Sequence, residues 1–165
     1  MTADFFAALG LARTFQVDLT ELEKRYFEAQ RRFHPDRLVG KSPAERQHAI
    51  SQSMLANEAY ETLKEPLKRA RHLLLLAGLV TDSVKPSQAL LIEIMETREA
   101  LADADSASRE SLAQQNARAK EEVLTSLGHA FANSDSTQAA ELTMRLSYLV
   151  KIEDEIRVKR IKPLS

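Results

Sequence analysis

The sequence predicts an all-α protein made of two small helical bundles, and three observations carry that prediction. Only 4 Gly and 5 Pro punctuate 165 residues, too few for the frequent turns of an all-β chain. Long stretches are rich in Ala, Leu, Glu, Arg and Gln, which favour helix. Apolar residues recur at helical rather than alternating spacing. Hydrophobic residues make up 44% of the chain, enough for a packed core, and the length suits one ordinary domain or two small ones.

The segment from Asp4 to Leu9 predicts a short first helix, stopped by Gly10. Asp18 with Glu21 three residues later signals the start of a second. Behind it Leu19, Leu22, Tyr26, Ala29 and Phe33 form one apolar stripe, with Lys24, Glu28 and Arg31 opposite and Arg25 and Arg32 on the flank. This helix must end near His34, because Pro35 disfavours helical geometry in the residue before it. A loop through Asp36, Arg37, Gly40 and Lys41 follows. Ser42, Pro43 and Glu45 then read as N-cap, first helical residue and capping-box partner. The third helix is expected to run to Lys64, with Ile50, Met54, Ala56, Tyr60 and Leu63 as its apolar surface. Pro66 interrupts it, and a shorter piece continues from Leu67 to Leu76. Two antiparallel helices joined by a tight loop make a hairpin, against which the short first helix packs.

Residues 77–86 read as a linker, with Gly78, Thr81, Asp82, Ser83 and Pro86 in it, after a first domain over 1–76. Three helical segments follow, near 87–103, 107–132 and 135–161, broken at Asp103 to Ser106 and Asn133 to Ser136. Short connections favour antiparallel neighbours, so 87–165 is expected to be a three-helix bundle. No internal repeat or low-complexity tract is present.

A net charge of −1 gives no reason to expect nucleic acid or an anionic membrane as partner. The absence of cysteine excludes disulfides, thiol nucleophiles and thiolate metal sites. The longest apolar run, Leu73 to Ala77, is far short of a membrane span. No basic and apolar leader opens the chain, so a soluble cytoplasmic protein without cofactor or metal is the expectation.

The tripeptide His34-Pro35-Asp36 joins two amphipathic helices, the first with a basic outer face. Alone it reads as a helix closing on a histidine, favourable at the negative end of the dipole, and then a Pro-Asp turn. Its surroundings add Asp4-Phe5-Phe6 with Leu9-Gly10-Leu11, Phe33 and Arg37 at the tripeptide, and Asn57-Glu58-Ala59-Tyr60 with Leu63. In this the sequence resembles the J-domain family. The resemblance implies a co-chaperone that binds the ATP-bound form of a DnaK-type chaperone and promotes hydrolysis. By the same resemblance His34, Pro35 and Asp36 are the stimulating loop, and Lys24, Arg25, Arg31 and Arg32 are a basic docking face. Arg37 stands where the family commonly has lysine, and is carried with them. The physics agrees, since Asp36 can pair with a partner arginine and Pro35 removes loop entropy. Read without the family, the basic face is a solvated helix surface, diluted by Glu21, Glu23 and Glu28.

Placing the residues of 87–103 at 100° intervals sets Leu90, Ile94, Thr97 and Leu101 on one face. Ile92, Glu96, Glu99 and Asp103 fall opposite, with Met95 beside them and Leu91 between faces. Apolar residues ringed by acids read either as a wider buried stripe or as a protein-binding patch that selects a basic partner. Asn57 to Leu63 followed by Pro66, Arg69-Ala70 and Leu73-Leu74 is similar to the HscB branch of the J-proteins, as are Leu91-Ile92-Glu93, Met95-Glu96 and Arg98-Glu99. That resemblance covers both halves and implies a role in iron–sulfur cluster assembly, between an HscA-like chaperone and an IscU-type scaffold protein. It makes Leu91, Ile92, Met95, Glu96, Glu99 and Asp103 scaffold contacts, with Tyr148 adding an aromatic contact from the last helix. Asp103 is shorter than the glutamate common there. Read without the family, Tyr148, spaced helically with Leu142 and Leu149, is a core residue. A cysteine-free chain, without the cysteine-bearing extension of mitochondrial relatives, would deliver the scaffold rather than carry the metal. The basic end, with Arg157, Lys159, Arg160 and Lys162, is accounted for by its place near a helix C-terminus.

An enzyme using His34 and Asp36 as base and orienter lacks companions: no Gly-rich phosphate loop, metal-ligand spacing or nucleophile motif is present. The remaining alternative is a J-domain co-chaperone whose second bundle binds a different client.

Overall fold

In the computed structural model, which describes residues 2–80 and 84–161, every regular element among the described residues is helical, and the chain divides into two compact units, residues 1–78 and 79–165. The N-terminal unit holds α1 (Phe5–Ala8), α2 (Leu19–Arg32), one turn of 3-10 helix (Pro35–Leu38), α3 (Pro43–Leu63) and α4 (Pro66–Leu76). The second holds α5 (Gln88–Ala102), α6 (Ser106–Ala132) and α7 (Ser136–Ile161). Of the expected linker, Thr81, Asp82 and Ser83 lie outside the described residues, as does Lys162.

Local signals set the helix starts. Asp4 caps α1 by accepting from the Phe6 and Ala7 N–H groups, and Asp18 caps α2 from Thr20 and Glu21. At α3 the capping box closes in both directions, Ser42 Oγ accepting from Glu45 N–H and Glu45 Oε2 from Ser42 N–H. Pro43 occupies the first turn, where its missing N–H costs nothing. Pro66 likewise opens α4 rather than interrupting a helix, and no side chain caps that start. Gly10 ends α1 with φ +66°, a conformation that disfavours other residues.

Helices α2 and α3 run antiparallel. Tyr26 Oη donates to Asn57 Oδ1, Gln30 Nε2 donates to the same oxygen, and the Tyr26 and Tyr60 rings stack 4.4 Å apart. Phe6, Leu9, Leu22, Ala56, Ala59 and Leu63 form the core of this unit, and burying each large one contributes about 1.5–3 kcal/mol. The expected apolar surface of α3 is corrected here. Ile50 and Met54 are 49% and 66% exposed, while Ala56 and Leu63 are buried as expected and are joined by Ala49 and Ala59. Small side chains let α1 and α2 approach the α3 backbone, so the buried stripe runs through alanines. Leu19 of α2 is also exposed.

Two joints need tertiary partners. Arg69 is buried, and its guanidinium donates to the carbonyls of Leu63 and Phe15 at 2.7 and 2.6 Å. His72 is buried against the rings of Phe5 and Phe6, and its Nε2 accepts from the Phe5 N–H at 3.1 Å.

In the second unit α6 and α7 make a long antiparallel hairpin through Asn133–Asp135, with Ser134 at φ +56°. The buried Asn116 donates to the Leu149 carbonyl, a satisfied polar group inside that seam. Helix α5 lies along α7, its Leu101 clustered with Ile152 and Ile156. No helix among the described residues is long and apolar enough to cross a membrane.

Candidate functional site

Two surfaces gather the residues expected to act, one in each unit. In the first, α2 ends at Arg32 and His34 turns extended, with φ −62° and ψ 139°, as the following proline requires. The chain then winds into the 3-10 turn Pro35–Leu38, where the sequence predicts only a loop. His34 Nδ1 accepts from the Asp36 N–H at 3.3 Å, and the Arg37 N–H donates to the His34 carbonyl at 2.9 Å. The Asp36 side chain is 91% exposed.

Beside the loop lies a cleft of about 530 Å³ bounded by Arg25, Arg31, Arg32 and Arg37, with Glu28 on its edge and Ala8 to Gly10 closing one end. Four guanidinium groups are thus brought together, while Lys24 and the His-Pro-Asp tripeptide lie outside the lining. The cations are not equivalent. Glu21 draws Arg25 to 2.7 Å and Lys24 to 3.8 Å. The Arg25 guanidinium holds the Glu21 carboxyl below the usual range, and Glu21 raises Arg25 in turn. Arg31, Arg32 and Arg37 have no ion pair among the described residues, so the open charge lies toward the loop end of the cleft.

The second surface is on α5. Ile94 and Leu101 are buried and Leu90 and Thr97 half-buried, as the wheel requires. Leu91, Ile92 and Met95 are 41%, 49% and 70% exposed, and Glu96, Glu99 and Asp103 around them are exposed as well. The reading of these apolar residues as a wider buried stripe is therefore set aside. Asp103 is the C-cap, its N–H reaching the Glu99 carbonyl at 3.4 Å. An acid there opposes the helix dipole, a local electrostatic penalty.

Tyr148 is half-buried, neither core nor free, with the Lys151 ammonium 5.2 Å above its ring. It borders a cavity of about 220 Å³ beneath α5, together with Leu90, Glu93, Thr97 and Arg145. Two cross-helix ion pairs that sequence reading missed hold α5 to α7. Arg145 grips Glu93 with both nitrogens at 2.7 and 2.8 Å, and Arg98 reaches Glu155 at 2.8 Å. That bond raises the Arg98 pKa. The basic end of α7 also has specific work. Lys159 Nζ donates to the Leu101 carbonyl at 3.1 Å, Arg157 pairs with Asp154, and Arg160 pairs with Glu110. Placement at a helix C-terminus alone does not describe it.

A family model described as the HSCB C-terminal oligomerisation domain matches residues 86–157. The chain is 38% identical to the mouse (Mus musculus) iron–sulfur cluster co-chaperone protein HscB, over 96% of this chain and 70% of that one. It is 34% identical to the co-chaperone protein HscB of Proteus mirabilis, over 93% of each. The crystal structure of human co-chaperone protein HscB superposes with a TM-score of 0.88 at 34% identity, covering 99% of this chain and 84% of that one. Fold and relatives together define the class, an all-helical co-chaperone. Within that class, the chain belongs to the HscB family.

Proposed function

We propose that the protein stimulates the ATPase of a specialised, HscA-like chaperone of the DnaK type and delivers to it an IscU-type scaffold, in the maturation of iron–sulfur proteins. Residues 1–76 act as the J-domain, 77–86 as a linker and 87–165 as the scaffold-binding bundle. His34, Pro35 and Asp36 stimulate, while Lys24, Arg25, Arg31, Arg32 and Arg37 dock. Leu91, Ile92, Met95, Glu96, Glu99, Asp103 and Tyr148 take the scaffold. Hydrolysis belongs to the partner, so this chain is an adaptor, working in the cytoplasm. The observation that carries the reading is the exposed apolar group Leu91, Ile92 and Met95, set among acids on a helix whose opposite face is buried. Such a patch has the apolar centre and charged rim of a protein interface. Holding both partners on one chain raises the effective concentration of each for the other.

Calorimetric titration with the cognate IscU-type scaffold tests this, comparing the natural protein with an Ile92→Ala, Met95→Ala double variant. Burial of the two side chains predicts a loss of at least about a hundredfold in affinity, with helical content unchanged. Absence of binding by the natural protein would overturn the scaffold assignment and point to a different client.

A further inference from the structure

We propose that His34 is a positioning residue that acts through Asp36, by capping the single turn of 3-10 helix that aims the Asp36 carboxylate. The inference rests on the reading of this loop as the stimulating element and says how its first residue works.

Pro35 has no N–H, so the first donor of the turn is Asp36 N–H, which meets His34 Nδ1 at 3.3 Å. The next donor, Arg37 N–H, meets the His34 carbonyl at 2.9 Å. One residue therefore holds both leading donors of the turn, one with its ring and one with its backbone. An accepting Nδ1 places the ring proton on Nε2. The Asp36 carboxylate has no comparable anchor. Its Oδ2 lies 3.5 Å from the same Nδ1, which gives it no hydrogen bond while that nitrogen accepts from the Asp36 N–H, and its side chain is 91% exposed. Its direction is thus inherited from the turn, and the turn is held by His34. A carboxylate meant for a partner's arginine gains from being held in place before contact, because less freedom is lost on binding.

The test uses the full-length protein and its cognate DnaK-type chaperone. ATPase stimulation at saturating co-chaperone is measured for the natural protein, His34→Asn and His34→Ala, alongside hydrogen exchange at the Asp36 amide. Asparagine offers a side-chain acceptor at an N-cap and alanine does not. The expected result is that Asn stays within about threefold of the natural protein while Ala falls by roughly tenfold, with Asp36 amide protection following the same order. A protected Asp36 amide in an inactive Asn variant would overturn the proposal, because the ring itself would then be what the chaperone needs. Full stimulation by the Ala variant would overturn it equally. A natural protein that stimulates no chaperone would instead sink the reading beneath it, and is distinguished by failing before any variant is compared.

Discussion

The guanidinium of Arg69 donates to the carbonyl oxygen of Phe15 at 2.6 Å and lies 5.4 Å from the centre of the same residue's ring. A second bond to the Leu63 carbonyl ties the end of α3 to the loop before α2. Burial depresses the Arg69 pKa without displacing its proton. Arg69→Met would keep the bulk and remove the charged donor from both carbonyls, each lost bond being worth about 1.5–3 kcal/mol. Hydrogen exchange of the α3 amides should show the N-terminal unit destabilised by roughly 2–4 kcal/mol, with the α6–α7 hairpin unchanged.

His72 gives the same unit a pH dependence. Burial pushes its pKa below the ordinary 6.5; Asp4 and Glu58 oppose that, and Arg13 reinforces it. A group with a depressed folded pKa binds fewer protons folded than unfolded, so protonation favours unfolding. Its contribution to stability is complete above pH 6.5 and is lost as pH falls from there toward the lowered value. Protonation also removes the Nε2 acceptor of the Phe5 N–H. The unit should melt at a lower temperature at pH 5.5 than at pH 7.5, and His72→Gln should narrow that gap.

On the cationic cleft, Glu21 competes with any docking partner for Arg25. Glu21→Gln should therefore lower the co-chaperone concentration giving half-maximal ATPase stimulation, by about two- to threefold, since an exposed pair is screened and weak. Arg32→Ala should raise it more than Arg25→Ala does. Equal effects of the two arginine variants would show that Glu21 does not hold Arg25 back.

The α5 surface separates charge from contact. In the proposed scaffold complex Glu96, Glu99 and Asp103 would act through a screened field, and Ile92 and Met95 through burial. Raising salt from about 0.05 to 0.5 M should slow scaffold association severalfold. The fractional loss caused by Ile92→Ala, Met95→Ala should stay the same at both salts. Stopped-flow kinetics resolves the two.

Much of this was legible locally. Asp18, Ser42 with Glu45, and Pro43 mark helix starts because their partners lie within three residues. The α5 wheel separated Ile94 and Leu101 from Ile92 and Met95 because one helix has one buried face. The α3 stripe holds at Ala56 and Leu63 and fails at Ile50 and Met54, where Ala49 and Ala59 are buried in their place because close helix approach selects small side chains. Links such as Arg69 to Phe15, Glu93 to Arg145 and Lys159 to Leu101 join positions dozens of residues apart, and no periodicity announces them. The four-arginine cleft was half legible. Its four arginines are named from the sequence, but their gathering around one cleft closed by the end of α1 comes from the tertiary fold.

The uncapped start of α4 bears on synthesis. Helices α2 and α3 carry their own starting signals and can nucleate as soon as they leave the ribosome. Helix α4 brings Arg69 and His72, whose partners at Phe15, Leu63 and Phe5 have all emerged before it. Vectorial growth therefore delivers the clasp after every group it binds, and a nascent chain halted before Arg69 would lack the donors that tie Phe15 to Leu63.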